Sequence, residues 1–133
     1  MQGSRKILLD TNFLLIPEVL HIDIFEELKR ICHFPYTLFI LDKTVAELQV
    51  IVGRSKGKDK RAAGVAIELI KLNNIQIIDT TMYPPEDYVD SILKQLADEY
   101  IIATQDRDIQ KKCKQYIIVR QLHYLQLKND TDY

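Results

Sequence analysis

The segment KILLDTN at residues 6–12 is a short apolar run that ends in a carboxylate, Asp10. Similar runs alternate with helix-like patterns along the chain, and this alternation is typical of βαβ units around a parallel sheet. The predicted strands are residues 6–9 (KILL), 37–41 (TLFIL), 75–78 (IQII), 100–104 (YIIAT) and, as a fifth, 116–119 (YIIV). Right-handed crossovers between them predict an α/β fold, a three-layer α/β/α sandwich with a central parallel sheet of four to five strands.

Helical patterns fill the intervals between these strands. Apolar residues recur at every third position over 19–31 and, with Pro17 near the start, predict one core-facing helix. Further helices are predicted at about 45–53, 62–72, 84–97 and 108–114.

The composition fits one domain over residues 1–133. A chain of 133 residues that is 47% apolar can bury one core, and no stretch rich in Gly, Ser or Pro suggests a linker. We expect flexibility only at the ends, 1–5 and 126–133.

The apolar runs are too short for a membrane span. They reach four to five residues, whereas a bilayer requires roughly 20. The N-terminus MQGSRK leads into no signal-type segment, so we expect a cytoplasmic protein without a membrane partner. Cys32 and Cys113 form no CxxC motif, and the three histidines do not lie at the spacing of metal ligands from them or from each other. This argues against a zinc site or a disulfide framework.

Carboxylates follow the end of every strand from the first to the fourth. In chain order they are Asp10, then Asp42 and Glu47, then Asp79, Glu86, Asp87 and Asp90, then Asp106 and Asp108. Ligands of open parallel sheets bind beyond the carboxyl ends of the strands, so the acids are expected at one edge. Such a cluster repels itself unless cations neutralise it, and oxygen ligands without Cys or His select magnesium or manganese. Phosphodiester hydrolysis uses this chemistry.

Each acid taken alone is equally well explained as a helix cap. We assign that role to Asp42, Asp79, Glu86 and Asp87. Asp10 resists it, because it closes an apolar strand near the sheet centre and no helix is predicted directly after it. If Asp108 caps the last helix, Asp106 is left to point into the site.

The segments DTN (10–12), VAEL (45–48), VDSI (89–92) and ATQDRD (103–108) resemble, in this order, the four-acid signature of the PIN-domain nucleases. The resemblance covers nearly the whole chain and implies a divalent-metal-dependent endoribonuclease. It implies that the catalytic acids Asp10, Glu47, Asp90 and Asp106 hold one or two Mg²⁺ or Mn²⁺ ions, with Asp108 as an accessory ligand. Asn12 and Thr104 would support these ligands by hydrogen bonds. Many relatives carry a paired acid where this chain has Val89-Asp90, so Asp87, one helical turn earlier, is the alternative ligand.

Within that family, residues 101–112 and 57–63 most resemble the archaeal and eukaryotic branch associated with small-subunit rRNA processing. This implies RNA and a ribosomal precursor particle as partners. Two alternatives stay open: a catalytically silent PIN-like module that binds RNA or protein, and the ribonuclease toxin of a toxin–antitoxin pair, with an antitoxin as partner. A homodimer is a further expectation if residues 50–52 are exposed, and their burial within the monomer is the alternative.

The segment GRSKGKDKR at 53–61 contains five basic residues and one acidic residue, although the net charge of the chain is only -1. We predict that it is a loop beside the acidic mouth whose cations Arg54, Lys56, Lys58, Lys60 and Arg61 bind RNA; the alternative is a merely solvated loop. A second basic cluster comprises Lys111, Lys112, Lys114 and Arg120.

Two other classes of doubly wound protein fit less well. A phosphate-receiver domain requires an acidic pair after the first strand and a Lys after the fifth, whereas Asp10 is unpaired and Arg120 stands at the later position. The four glycines form neither of the phosphate-binding glycine motifs of nucleotide-binding folds.

Overall fold

The computed structural model describes residues 3–129 and contains one six-stranded sheet. The strands are β1 (Arg5–Leu9), β2 (Tyr36–Leu41), β3 (Gln76–Ile78), β4 (Ile101–Ala103), β5 (Gln115–Arg120) and β6 (Tyr124–Asn129). Their order across the sheet is β3-β2-β1-β4-β5-β6. Every neighbouring pair is parallel except β5 and β6, which are antiparallel.

Helices cover both faces of the sheet. They are α1 (Thr11–Leu14), α2 (Ile16–Leu20), α3 (Ile24–Ile31), α4 (Asp42–Arg54), α5 (Gly57–Leu72), α6 (Val89–Gln95) and α7 (Arg107–Gln110). The longest, α5, has 16 residues, and no helix in the described range 3–129 is long and apolar enough to cross a membrane.

The alternation of side chains along the central strands produces two apolar layers. Ile7 and Leu9 of β1 are buried in the larger cluster with residues of α1 to α5, whereas Leu8 faces the smaller cluster with residues of α6 and α7. Both faces of β1 are therefore dry, which explains its uninterrupted apolar sequence. The predicted α/β/α sandwich is confirmed.

The sheet is larger than predicted, because residues 124–129 form a strand where flexibility was expected from 126 onward. β6 pairs with β5 from Arg120↔Tyr124 to Gln115↔Asn129, and Leu125 is buried in the larger cluster. Gln121 and Leu122 both have positive φ angles, 53° and 59°. Two such residues suit the tight turn of a β-hairpin. Arg5, also expected to be flexible, begins β1; residues 1–2 and 130–133 lie outside the described residues.

The single helix predicted over 19–31 is wrong. His21 adopts a left-handed conformation (φ 56°) that ends α2. The side chain of Asp23 then accepts hydrogen bonds from the backbone N–H groups of Phe25 and Glu26, both at 3.1 Å, and starts α3. This N-cap competes with continuation of the preceding helix. Val19, predicted to face the core, is 59% exposed.

Three other boundaries differ from the prediction. The basic segment is largely helical rather than a loop, because α4 extends to Arg54 and α5 begins at Gly57. Gly57 has a φ of 62°, which permits the sharp reversal between the two helices. Pro84 and Pro85 precede the helix instead of opening it, since α6 begins at Val89. The last helix, α7, ends at Gln110 rather than at 114.

Candidate functional site

The order of the strands places a topological switch point between β1 and β4. The chain moves from β1 outward through β2 and β3, and returns to build β4 and β5 on the other side. In such sheets ligands bind in the crevice beyond the carboxyl ends of the two strands at the switch. Asp10 follows β1 and Thr104 follows β4, so both residues lie at this crevice.

Asp10 is a buried carboxylate held by a buried hydroxyl. Its side chain is 4% exposed, and Thr104 Oγ1 donates to Asp10 Oδ2 at 2.7 Å. Contrary to the expectation, a helix begins directly after Asp10, at Thr11. The Asp10 side chain nevertheless makes no capping hydrogen bond to α1. Helix capping therefore does not explain this acid.

Other acids act on Asp10. Burial raises the pKa of Asp10 above its ordinary value, the hydrogen bonds from the Thr104 hydroxyl and the Thr11 backbone lower it, and the negative charges of Asp90 and Glu47 raise it further. The net pKa shift is upward. The carboxylates of Asp10, which follows β1, of Glu47 on α4 and of Asp90 on α6 thus interact electrostatically.

Glu47 is oriented by Thr11, a residue that was not predicted to belong to the site. Thr11 Oγ1 lies 2.6 Å from Glu47 Oε1 and 3.1 Å from Thr44 Oγ1. Because a carboxylate only accepts, Thr11 donates to Glu47. Thr44 and Glu47 are three residues apart on α4, and that spacing places them on one helical face. Asn12, predicted to support the ligands, is exposed on α1, and no hydrogen bond of its side chain is found within residues 3–129.

Near the start of α6, Asp90 is the acid whose charge raises the pKa of Asp10. Asp90 lies in the first turn of α6 and is exposed, while its neighbour Val89 is buried in the smaller cluster. Asp87, the alternative ligand, is half-buried, and its Oδ2 accepts a hydrogen bond from Gln95 Nε2 at 3.2 Å.

Asp106, rather than Asp108, is the cap of the last helix. Its Oδ1 accepts from the backbone N–H groups of Asp108 at 2.8 Å and Ile109 at 3.4 Å. The Asp106 backbone N–H donates to Thr104 Oγ1 at 3.1 Å. Asp108 is exposed on α7. Both capping bonds use Oδ1, so Oδ2 is the oxygen of Asp106 that can face a ligand.

The acids form a loose group rather than a preformed ligand shell. Within residues 3–129, no three Asp, Glu, His or Cys side chains lie close enough to hold a metal as they stand. Asp90 and Glu47 lie close enough to Asp10 for their charges to raise its pKa, whereas Asp106 caps the N-terminus of α7.

Of the four acids assigned to caps, Asp42 and Asp79 hold the turn that follows β3. Asp42 accepts from the Thr80 backbone at 3.0 Å, from Thr80 Oγ1 at 2.6 Å and from the Lys43 backbone at 2.7 Å. Burial acts to raise the pKa of Asp42, but these hydrogen bonds outweigh it and the pKa falls below its ordinary value. Asp79 accepts from the Thr81 backbone at 2.9 Å. Glu86 precedes the first residue of α6 by three positions, so it caps no helix.

The basic residues of 54–61 are exposed, and two of them lie near α2. Lys58 and Arg61, three residues apart on α5, line a cavity of about 300 Å³ together with Asp59 of α5 and with Glu18, Val19 and His21 of the α2 region. None of the cations of this segment forms an ion pair in the described part of the chain. Of the residues proposed as a dimer seed, Val50 is 47% exposed, and Ile51 and Val52 pack partly on the larger core.

The protein is an α/β sandwich with carboxylates gathered at the switch point of its parallel strands. Residues 7–123 match the family described as PIN-like domain, and the chain therefore belongs to the PIN-like domain family. The resemblance drawn from the four acids is confirmed at this level.

Two relatives extend the comparison. The chain is 27% identical over 129 residues to Ribonuclease VapC4 of Methanocaldococcus jannaschii, covering 92% of this chain and 95% of that protein. Its fold is similar to that of the PIN domain endonuclease Utp24, with a TM-score of 0.70 at 19% identity, over 93% of this chain and 91% of the other. The second likeness shows the fold alone.

Proposed function

We propose that the protein is a divalent-metal-dependent endoribonuclease that hydrolyses RNA phosphodiester bonds at Asp10, Glu47 and Asp90. The observation that carries this proposal is the state of Asp10: a buried carboxylate at the switch point, whose pKa is raised by burial and by two further carboxylates. An uncompensated group of this kind is costly without a cation. Similarity to a ribonuclease along nearly the whole chain supports the activity.

The donor set fits a hard cation. The contributing side chains offer only oxygen atoms, and Mg²⁺ and Mn²⁺ prefer carboxylate and water ligands. Asp10, Glu47 and Asp90 would hold one or two such ions, with Oδ2 of Asp106 and the exposed Asp108 as accessory ligands. When bound, the ion lowers the pKa of an attacking water and stabilises charge on the phosphate.

The chain's own hydroxyl groups prepare these carboxylates. Thr104 accepts from the Asp106 backbone and therefore presents its hydroxyl hydrogen to Asp10. Thr11 fixes one oxygen of Glu47. Both carboxylates keep a second oxygen for a ligand, and neither has to search rotamers when RNA arrives.

The RNA itself is a polyanion that must approach an acidic mouth. We propose that the cations Arg54, Lys56, Lys58, Lys60 and Arg61 supply the attraction, since they are exposed and free of ion pairs in the described residues. Phosphate contacts of this kind contribute affinity without reading sequence.

We propose two alternative biological roles for this activity. One is processing of small-subunit rRNA within a precursor particle, and the other is a ribonuclease toxin neutralised by an antitoxin. A small antitoxin gene beside the gene for this protein would decide for the second.

The test is incubation of purified protein with labelled single-stranded RNA or DNA in Mg²⁺, Mn²⁺ or EDTA. We expect internal cleavage of RNA with either metal, none in EDTA, and none by Asp10→Asn. The matched control is Asp79→Asn, an acid at the same sheet edge that only holds a turn, and it should cut at the wild-type rate. Equal cleavage in EDTA contradicts the metal dependence, and RNA binding without cleavage under every condition favours the catalytically silent module.

A further inference from the structure

An open groove lies beside the acidic cluster, and apart from Glu47 the proposed chemistry uses none of its residues. Its volume is about 430 Å³. One wall is α4 and the other is the segment that leads into α6. The residues that matter here are Lys43, Glu47 and Val50 on the first wall and Pro85, Tyr88 and Val89 on the second. Glu47 belongs both to this groove and to the group of acids around Asp10, so the two are continuous.

Tyr88 presents an aromatic ring to solvent from a fixed backbone. The residue is 82% exposed. Its neighbour Val89 is 6% exposed and packs in the smaller core cluster. The Tyr88 carbonyl also accepts the Ile92 N–H of α6 at 3.1 Å. The Tyr88 ring therefore does not contribute to the core. Its backbone is nevertheless held in place, two residues before Asp90.

The two walls are tied together. Lys43 Nζ on α4 donates to the backbone carbonyl of Asp87 on the opposite wall. This contact links the two walls of the groove near Glu47. The ammonium keeps further N–H donors for an anionic group.

We propose that this groove is a nucleobase subsite, in which a base next to the scissile phosphate stacks on Tyr88 and packs against Val50; the inference rests on the proposed endoribonuclease. Proteins that bind single-stranded RNA stack unpaired bases on aromatic side chains. A flat base has an apolar face for Tyr88 and Val50. Its phosphate would lie toward Glu47 and Lys43, where the groove meets the acids.

The test uses Asp10→Asn protein, which should bind RNA without cutting it, and a short single-stranded RNA with one abasic site moved along it. We expect one or two adjacent abasic positions to weaken binding about tenfold, the effect of losing one stacked base. Asp10→Asn with Tyr88→Ala should bind the intact RNA about tenfold more weakly and show no further loss at those positions. Tyr88→Phe keeps the ring and should behave as Tyr88.

The matched control is Tyr124→Ala, which removes an exposed tyrosine from β6, at the opposite edge of the sheet from β3. It should leave RNA affinity unchanged. Wild-type protein that cuts RNA while Tyr88→Ala binds it normally overturns the subsite alone. A loss of self-association by Tyr88→Ala in sedimentation, with RNA affinity unchanged, makes the groove an interface between copies and also overturns it. Wild-type protein that neither binds nor cuts RNA overturns the proposed function and the subsite together.

Discussion

Among single residues, Asp10 is the one on which both the proposed activity and the stability of the metal-free fold depend. Its carboxylate is buried and lies near the charges of Asp90 and Glu47, and the Thr104 hydroxyl donates a hydrogen bond to it. An Asn at this position keeps an oxygen that can accept this hydrogen bond but carries no charge. The carboxylate that is proposed to bind a cation is therefore expected to destabilise the metal-free fold.

We expect Asp10→Asn to abolish cleavage and to raise the melting temperature in metal-free buffer by roughly 3–5 °C, the effect of about 1 kcal/mol in a domain of this size. The gain should depend on pH. The folded pKa of Asp10 lies above the ordinary value of 3.8, so the unfolded chain loses this proton first as pH rises. Wild-type stability then falls relative to Asp10→Asn from about pH 3.8 until the folded pKa is passed, and the gap stays constant beyond it. Thermal melts of both proteins over pH measure this gap. A gap that narrows as pH rises would mean that Asp10 stabilises the fold as an anion.

Thr11 should act as a positioning residue for Glu47. Thr11→Val is nearly isosteric but removes the hydroxyl that donates to the carboxylate, and we expect kcat to fall about tenfold. Thr11→Ser keeps the hydroxyl and should restore most of the rate. KM for RNA should change little in either variant, because Thr11 is buried. A loss of rate in Thr11→Ser equal to that in Thr11→Val would assign the residue to packing alone.

Among the secondary-structure elements, the start of α6 distinguishes the two candidate acids, Asp90 and Asp87. Asp90 acts on Asp10 electrostatically, whereas Asp87 is bonded to Gln95 within its own segment. We therefore expect Asp90→Asn to cost far more activity than Asp87→Asn. Rates of RNA cleavage measured side by side test this order. The reverse order would place the ligand one helical turn earlier.

The first turns of α5 should supply phosphate contacts. Lys58 and Arg61 share one face of this helix and one cavity with α2. Each phosphate contact on a single strand contributes about 0.7 to the slope of log affinity against log salt. Replacing both residues by Ala should flatten that slope by roughly 1.4. The assay is RNA binding by Asp10→Asn across a salt series, with Lys71→Ala, at the other end of α5, as the control. Superimposable plots would direct attention to Lys111, Lys112 and Lys114.

The errors in the predicted elements have physical causes. Apolar residues at every third position over 19–31 fit one helix, and they fit equally well two helices joined at His21. The spacing of apolar residues does not show where the backbone adopts a left-handed conformation. β6 was missed because its turn contains Gln121 and Leu122 instead of Gly or Asn, the usual signals of a tight hairpin. Such a turn is imposed by pairing with β5, which is a tertiary effect.

At the scale of the whole molecule, the central strands were predictable because burial on both faces leaves an uninterrupted apolar run, as in Ile7 to Leu9. The positions of Asp10, Glu47 and Asp90 near one another follow from that sheet, since parallel strands deliver their ends to one edge. The hydroxyl of Thr11 was not predictable in the same way. Its partners belong to α4, and only packing brings the two elements together.

The net charge of -1 hides a separation of sign across the molecule. Acids gather at the switch point between β1 and β4, while exposed cations lie at the start of α5 beside α2. In the proposed function, the cations at the start of α5 attract RNA, and the acids at the switch point bind it. Because carboxylates repel phosphate, the proposed activity requires a bound cation in the acidic region.

We propose that Asp10 and its neighbouring carboxylates act as one site for a hard divalent cation. Isothermal titration of Mn²⁺ into wild type, Asp10→Asn and Asp79→Asn tests this proposal. We predict that wild type and Asp79→Asn bind Mn²⁺ with equal affinity and that Asp10→Asn binds at least about tenfold more weakly, the equivalent of 1.4 kcal/mol. Equal Mn²⁺ affinity in wild type and Asp10→Asn would contradict the claim.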